Sequence, residues 1–261
     1  MSRVSFFRIV LLMLASLTAV FICVPLAMLI VQSISPNPVL WPKTFTLKWY
    51  RMQGSTIIPA VITSISISFP ATLLAVVTSL PLGRALVRYD FRGKYLIRWI
   101  IALPIITPGV SLGLAYLQLA NTSFLRGVHP WVMLVAVHTV LVFPYTARSI
   151  LAGYEMCNFI LEEASATLGA RPVQTYFKVV LPILVPFILA GAVVGFARSM
   201  NDFIITMFLV QPDFIPLSIQ IYRSTSYGTP PLTSALATIL LLFSVTFALI
   251  AEYTLRRVGG Q

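Results

Sequence analysis

Arg198 and Asp202 stand four residues apart inside a run, 183–210, that is otherwise free of charge and almost wholly apolar. At 3.6 residues per turn an i,i+4 pair lies on one helix face, so guanidinium and carboxylate can meet. Ionisable groups in such a segment are costly, and they face the interior of a helical assembly or a water-filled cavity. Two chemistries fit the pair. It can neutralise itself and fix helix packing, or it can line a path for a polar solute, with Ser199 and Asn201 adding a hydroxyl and an amide beside it. Gly191 and Gly195 fall on the same stripe, and a Gly-x3-Gly pair lets a neighbouring helix approach closely.

Catalytic chemistry finds little to work with. Cys23, Cys157, His129 and His138 show no metal-ligand spacing. No grouping of His, Cys and acidic residues suits hydrolysis, and there is no Gly-x4-Gly-Lys-Ser/Thr loop to cradle a nucleotide phosphate. No cofactor, metal or catalytic residue is therefore expected in this chain.

A second constellation lies at 153–182. Asn158 is placed to cap a short helix whose first turn carries Glu162 and Glu163, where carboxylates complement the positive end of the helix dipole. Gly169 is placed to end that helix in the left-handed conformation, and Pro172 to open a second short helix running toward Pro182. Two short helices joined at a glycine corner form a rigid knob, able to fit a groove on another protein.

The elements that must hold these groups follow from composition. The 261 residues are 58% hydrophobic and 10% charged, which a water-soluble surface does not tolerate but a bilayer demands. Six apolar segments can be drawn, at 9–31, 57–82, 99–120, 131–147, 183–210 and 232–251, each long enough to span. The expected fold is all-α, a polytopic membrane protein of about six transmembrane helices, with residues 1–261 as one transmembrane domain. Pro70, Pro104, Pro108 and Pro144 fall within or beside these spans, where neighbouring helices can re-satisfy the freed carbonyls. Arg3 and Arg8 precede a first run longer than a signal h-region with no cleavage site after it, so an uncleaved helix is expected.

The net charge of +11 reflects Lys and Arg collected in short loops, not a surface for nucleic acid. With the amino terminus inside, twelve of the 18 basic residues fall on the cytoplasmic side and five outside, Arg198 being the remaining one. Both termini and the 153–182 loop are then cytoplasmic. The outer segment 32–56 carries Trp41, Phe45, Trp49 and Tyr50, suited to an interfacial belt or to docking a partner. The outer segment 211–231 reads as a Pro-rich polar loop.

The 153–182 segment resembles the EAA loop of ATP-binding-cassette importer permeases, Glu-Ala-Ala-x3-Gly-x9-Ile-x-Leu-Pro. Glu163, Ala164, Gly169, Leu181 and Pro182 match it, with Val179 in the Ile position, Ser165 in place of the second Ala and Ala166 where a basic residue is common. Phe45–Tyr50, Arg88–Lys94, Ile215–Tyr222 and Ala235–Leu240 are similar to the spermidine/putrescine permease branch. The resemblance implies a bacterial inner-membrane type I importer with a homologous second permease, two cytoplasmic ATPase subunits that hold ATP and Mg, and an external solute-binding protein. It implies that the knob, with Glu162, Glu163, Ala164, Gly169, Leu181 and Pro182, seats on the ATPase. Ser-x-Asp-Asp segments of the polyamine branch imply that Asp202 lines the path, but Arg198 departs from them. An amino-acid, opine or phosphonate-type solute therefore stands beside a polyamine. A stand-alone secondary transporter is the alternative from another class, although apart from Asp202 the spans are poor in the carboxylates it would need.

Overall fold

The computed structural model describes residues 2–37, 42–52, 54–226, 228 and 230–259, and the expected interfacial Trp41 lies outside them. Within these residues the chain is helical, with one isolated bridge between Gln211 and Phe214. The helices are α1 (Ser2–Ser33), α2 (Lys48–Met52), α3 (Gly54–Arg88), α4 (Lys94–Ile106), α5 (Gly109–Ala120) and α6 (Pro130–Met156). They are followed by α7 (Ile160–Thr167), α8 (Pro172–Thr175), a π-helical turn (Tyr176–Val180), α9 (Leu181–Met200), α10 (Ile204–Leu209), α11 (Leu217–Ser226) and α12 (Pro230–Gly259). Five helical stretches are long and apolar enough to cross a membrane: Phe7–Ser33, Thr56–Arg88, Pro130–Met156, Pro172–Met200 and Pro231–Ile250. The bent pair α4 and α5 makes a sixth if it counts as one span.

Three expectations change. The segment 99–120 is two helices bent by 100°. Thr107 precedes Pro108, and the proline ring disfavours helical geometry at the residue before it. Thr107 and Pro108 accordingly have ψ near 133° and 132°, which ends α4 and redirects the chain. The segment 183–210 also breaks, between Met200 and Ile204. The loop 211–231 holds α11, whose Leu217 and Ile219 are buried.

The chain forms two compact units, residues 1–58 with 220–241, and residues 59–219 with 242–261. In the first, α1 exposes most of its apolar side chains from Phe7 to Leu26, a surface suited to lipid or protein rather than water. Trp49 and Tyr50 fold back onto its end. The Trp49 indole donates to the Ser35 carbonyl at 2.7 Å, and the Tyr50 hydroxyl donates to Ser33 Oγ at 2.8 Å.

The second unit is organised around the contact of α6 with α9. Glycine makes that approach possible. A Cβ on Gly191 would lie 2.9 Å from Ser149 Cβ and 3.2 Å from Thr146 Cα, and one on Gly153 would lie 2.7 Å from the Phe187 ring. Gly195 faces Thr146 in the same way, so the two glycines of the stripe pack inward. Polar side chains stitch the helices together: Ser149 Oγ donates to the Phe187 carbonyl at 2.7 Å, and Ser79 and Thr146 share a bond of 3.0 Å. A second glycine pair, Gly109 and Gly113, brings α5 against Ile204 and Phe208 of α10. The second halves of the two broken segments therefore pack on each other.

Gly191→Val places two γ-methyls where Ser149 and the Thr146 backbone already stand. Overpacking of this kind costs about 1–3 kcal/mol. The variant should melt at a lower temperature in detergent, and an unchanged melting temperature would mean that α6 and α9 do not meet at this residue.

Candidate functional site

The polar core of the second unit is built on the break after α9. Asn201 and Asp202 leave the helix, and Asp202 closes the gap. Its Oδ2 accepts the Thr206 amide at 3.0 Å, its Oδ1 accepts Arg198 Nη1 at 3.2 Å, and its own carbonyl accepts Ser218 Oγ at 2.7 Å. Ser64 Oγ similarly accepts the Leu217 amide at 2.8 Å. The carboxylate thus serves a backbone donor that the broken helix would otherwise leave unpaired.

The hub of this core is His138, which spacing alone gave no reason to select. Its Nδ1 lies 2.7 Å from Ser199 Oγ and its Nε2 lies 3.0 Å from Thr206 Oγ1. Ser199 in turn donates to Ser68 Oγ at 2.8 Å. Each hydroxyl has one proton to give. With the Ser199 proton on Ser68, Ser199 accepts from His138 Nδ1–H. Thr206 Oγ1 donates to Asp202 Oδ2 at 3.0 Å, so this hydroxyl links the imidazole to the carboxylate that takes the Thr206 amide. The contacts run as one chain, Ser68–Ser199–His138–Thr206–Asp202–Arg198.

The four residues expected on a solute path divide by exposure. Ser199 and Asp202 are buried, whereas Asn201 is exposed and Arg198 shows 35% of its side chain. The Asn201 amide bonds the Ala197 carbonyl and Ser244 Oγ, each at 2.8 Å.

The second constellation forms an elbow. Asn158 Oδ1 accepts the Ile160 amide at 3.0 Å, α7 follows, and Gly169 turns the chain at φ 84°. The expected second short helix is not separate. Pro172 opens α8, which runs through the π-helical turn directly into α9, so Pro172–Met200 is one apolar stretch. Pro182 explains the widened turn: its ring would press on the carbonyl four residues back and it brings no N–H. The Leu181 amide reaches five residues back, to the Tyr176 carbonyl. Ser165 and Thr175 bond at 2.8 Å across the corner.

The two adjacent glutamates face different ways. Glu163 is exposed, as are Ile160, Leu161, Ala164, Leu168 and Val173, which give the elbow an apolar surface. Glu162 turns inward to Arg84 at 3.0 Å, with 11% of its side chain exposed. Leu181 and Pro182 sit at the start of α9, where Leu181 is half-buried and Pro182 is exposed.

Two measurements follow from these contacts. Asp202→Asn keeps an oxygen for the Thr206 amide, whereas Asp202→Ala strands it at about 1–3 kcal/mol. Asp202→Ala should therefore lose more folded protein, and equal thermal stability of the two would remove the sealing role. Beside the elbow, burial pushes the Cys157 thiol up, Glu162 adds to that rise, and Arg84 and Arg88 oppose it. Only the thiolate alkylates. In a Cys23→Ser background the maleimide rate at Cys157 should rise at higher pH than for a free cysteine. Glu162→Gln should move that profile to lower pH, and a profile that does not move would place the carboxylate away from the thiol.

Comparison with known proteins agrees with this architecture. The family described as "Binding-protein-dependent transport system inner membrane component" matches residues 75–260. The spermidine/putrescine transport system permease protein PotC of Escherichia coli K12 is 28% identical over 243 residues, 90% of each chain. The putrescine transport system permease protein PotI of the same organism is 27% identical, covering 97% of this chain and 92% of that one. The molybdenum transport system permease protein ModB of Haemophilus influenzae is 30% identical over 76% of this chain and 94% of its own. Among solved structures, a bacterial ABC transporter that imports the acidic polysaccharide alginate shares the fold. Its TM-score is 0.70 at 16% identity, over 95% of this chain and 96% of that one. The inward-facing MetNI methionine ABC transporter matches with a TM-score of 0.65 at 16% identity, over 80% and 98% of the two chains. The chain belongs to the binding-protein-dependent transport system inner membrane component family, the multi-pass permeases of type I ABC importers.

Proposed function

We propose that this permease is driven by ATP hydrolysed on two partner subunits, and that the elbow at 158–182 is where they grip it. One observation carries the reading: α7 presents an exposed apolar surface with Glu163 at its edge, and beyond Gly169 the chain runs without a break into α9. A push on the elbow is therefore delivered to a membrane-spanning helix. A homologous second permease completes the path, and an external binding protein delivers the solute. Glu162, Glu163, Ala164, Gly169, Leu181 and Pro182 form the coupling region, both termini and the elbow are cytoplasmic, and residues 1–261 act as one permease domain. The chain holds no nucleotide of its own, because ATP and Mg belong to the partner ATPases.

The solute is a small polar molecule. PotC and PotI, named for spermidine and putrescine, support a polyamine. A specific feature favours a second reading: the part of the Arg198–Asp202 pair that reaches the surface is the cation. On the path, with Asn201 beside it, Arg198 would attract a carboxylate or phosphonate and repel an amine. Asp202, buried behind it, holds that guanidinium in place, and Ser199 lies next in the same polar core.

Purified from detergent, the chain should bring an ATPase subunit and a second permease with it. Glu163→Lys and Gly169→Pro should insert normally yet lose ATPase attachment and uptake, since proline cannot adopt φ 84°. Unimpaired uptake by both variants would remove the coupling role. Transport by the chain alone in liposomes without ATP would favour the secondary-transporter alternative, and labelling of the elbow from the outer face would overturn the orientation.

A further inference from the structure

The elbow is joined by the backbone to α6 and α9, but its side chains also hold α3. Arg84 and Arg88 stand four residues apart in the last turns of α3 and so share one face. Arg84 Nη2 bonds Glu162 Oε2 at 3.0 Å, and its guanidinium lies 5.2 Å from the centre of the Tyr176 ring. Arg88 lies 4.2 Å over the Phe159 ring, just before α7. Tyr176 in turn bonds Tyr154 of α6 at 3.2 Å. One guanidinium therefore touches α7 and the π-helical turn at once, at the corner where the elbow meets α9.

The joint is neither loose nor fully satisfied. Glu162 is largely covered, so its attraction to Arg84 is less screened than that of a surface pair. Arg84 Nη1 is buried without a hydrogen-bond partner. An unfilled donor of this kind costs free energy, and a rotation of α7 that brings a second oxygen to it recovers that cost.

We propose that Arg84 is a positioning residue that makes α3 a driven helix: through Glu162 and Tyr176 it carries the movement of the elbow into a span to which the elbow has no backbone link. The proposal rests on the reading of the elbow as the seat of the ATPase. Glu162 then acts inside the chain, while Glu163 faces the partner.

The test uses the full assembly, purified with its ATPase subunits, in a Cys23→Ser, Cys157→Ser background. Spin labels at Thr78→Cys on α3 and Val185→Cys on α9, both exposed positions, report the separation of the two helices by pulsed EPR. Mg-ATP with vanadate is the probe. In the otherwise unaltered assembly α3 should follow α9, and the separation should hold. In Arg84→Met and in Glu162→Gln, α9 should move while α3 lags, changing the separation by about 1–2 Å, the scale of helix shifts in switching proteins. The exchange Arg84→Glu with Glu162→Arg should restore the fixed separation, which a merely structural loss would not do. Glu162→Gln is isosteric and keeps the test alive where Arg84→Met fails to assemble. A separation that stays fixed in both single variants, or an exchange no better than either of them, overturns the proposal. Retained vanadate-sensitive ATP hydrolysis shows that the assembly reading stands. If no ATPase accompanies the unaltered chain, it is that reading, and not the Arg84 joint, that has failed.

Discussion

A segment inside a bilayer has no water to satisfy a backbone group that a helix leaves open, so a break within a span must be closed by the protein itself. This constraint organises the second unit. Where α9 ends, Asp202 takes the Thr206 amide and its own carbonyl receives Ser218. Where α11 begins, Ser64 takes the Leu217 amide. Thr107, at the bend between α4 and α5, returns both its amide and its hydroxyl to the Leu103 carbonyl. At each of these stops a polar side chain or a backbone carbonyl takes up the open group.

Closure of the breaks also fixes which helices can come together. Once α9 stops at Met200, α10 is free to take its own direction, and Gly109 and Gly113 let α5 lie against it. His138 then joins three helices, meeting Ser199 at the end of α9 and Thr206 in α10, with Ser68 of α3 reached through Ser199. Removing any one partner would leave a buried group unpaired, so the network acts as a unit and not as separate bonds. The Arg198–Asp202 pair ends the network, with the carboxylate buried and the guanidinium part-exposed. Asp202 closes the fold from inside while Arg198 remains in reach of the surface.

Much of this was legible in the sequence, for definable reasons. Length and hydropathy marked where the spans lie, because a bilayer imposes both. The stripe of Gly191, Gly195, Arg198 and Asp202 followed from helical periodicity, and the Gly169 corner from the one residue suited to φ 84°. The break at 201–203 was hidden, since apolar residues resume at Phe203 and run to Val210, and hydropathy does not register a change of direction. The bend at Thr107 had a local signal in Pro108, but Pro70 and Pro144 give the same signal and lie inside unbroken helices. His138 could not be found from spacing, because its partners lie 61 and 68 residues away. α11 was obscured by the prolines around it, although the run from Leu217 to Tyr222 is itself compatible with a helix.

The adjacent pair Glu162–Glu163 shows how a short motif can serve two ends. Successive helical residues point about 100° apart, so two neighbouring carboxylates leave the helix in different directions. One turns to Arg84 and fixes how α7 lies against α3, and the other stays in solvent at the rim of an apolar surface. A single glutamate would leave a choice between holding the elbow and meeting whatever seats on it. With both, the orientation of the outward carboxylate is set by the inward one, and a change in α7 reaches α3 by side chains as well as α9 by backbone. The span that follows the elbow and the span that merely touches it are thereby tied to the same short helix.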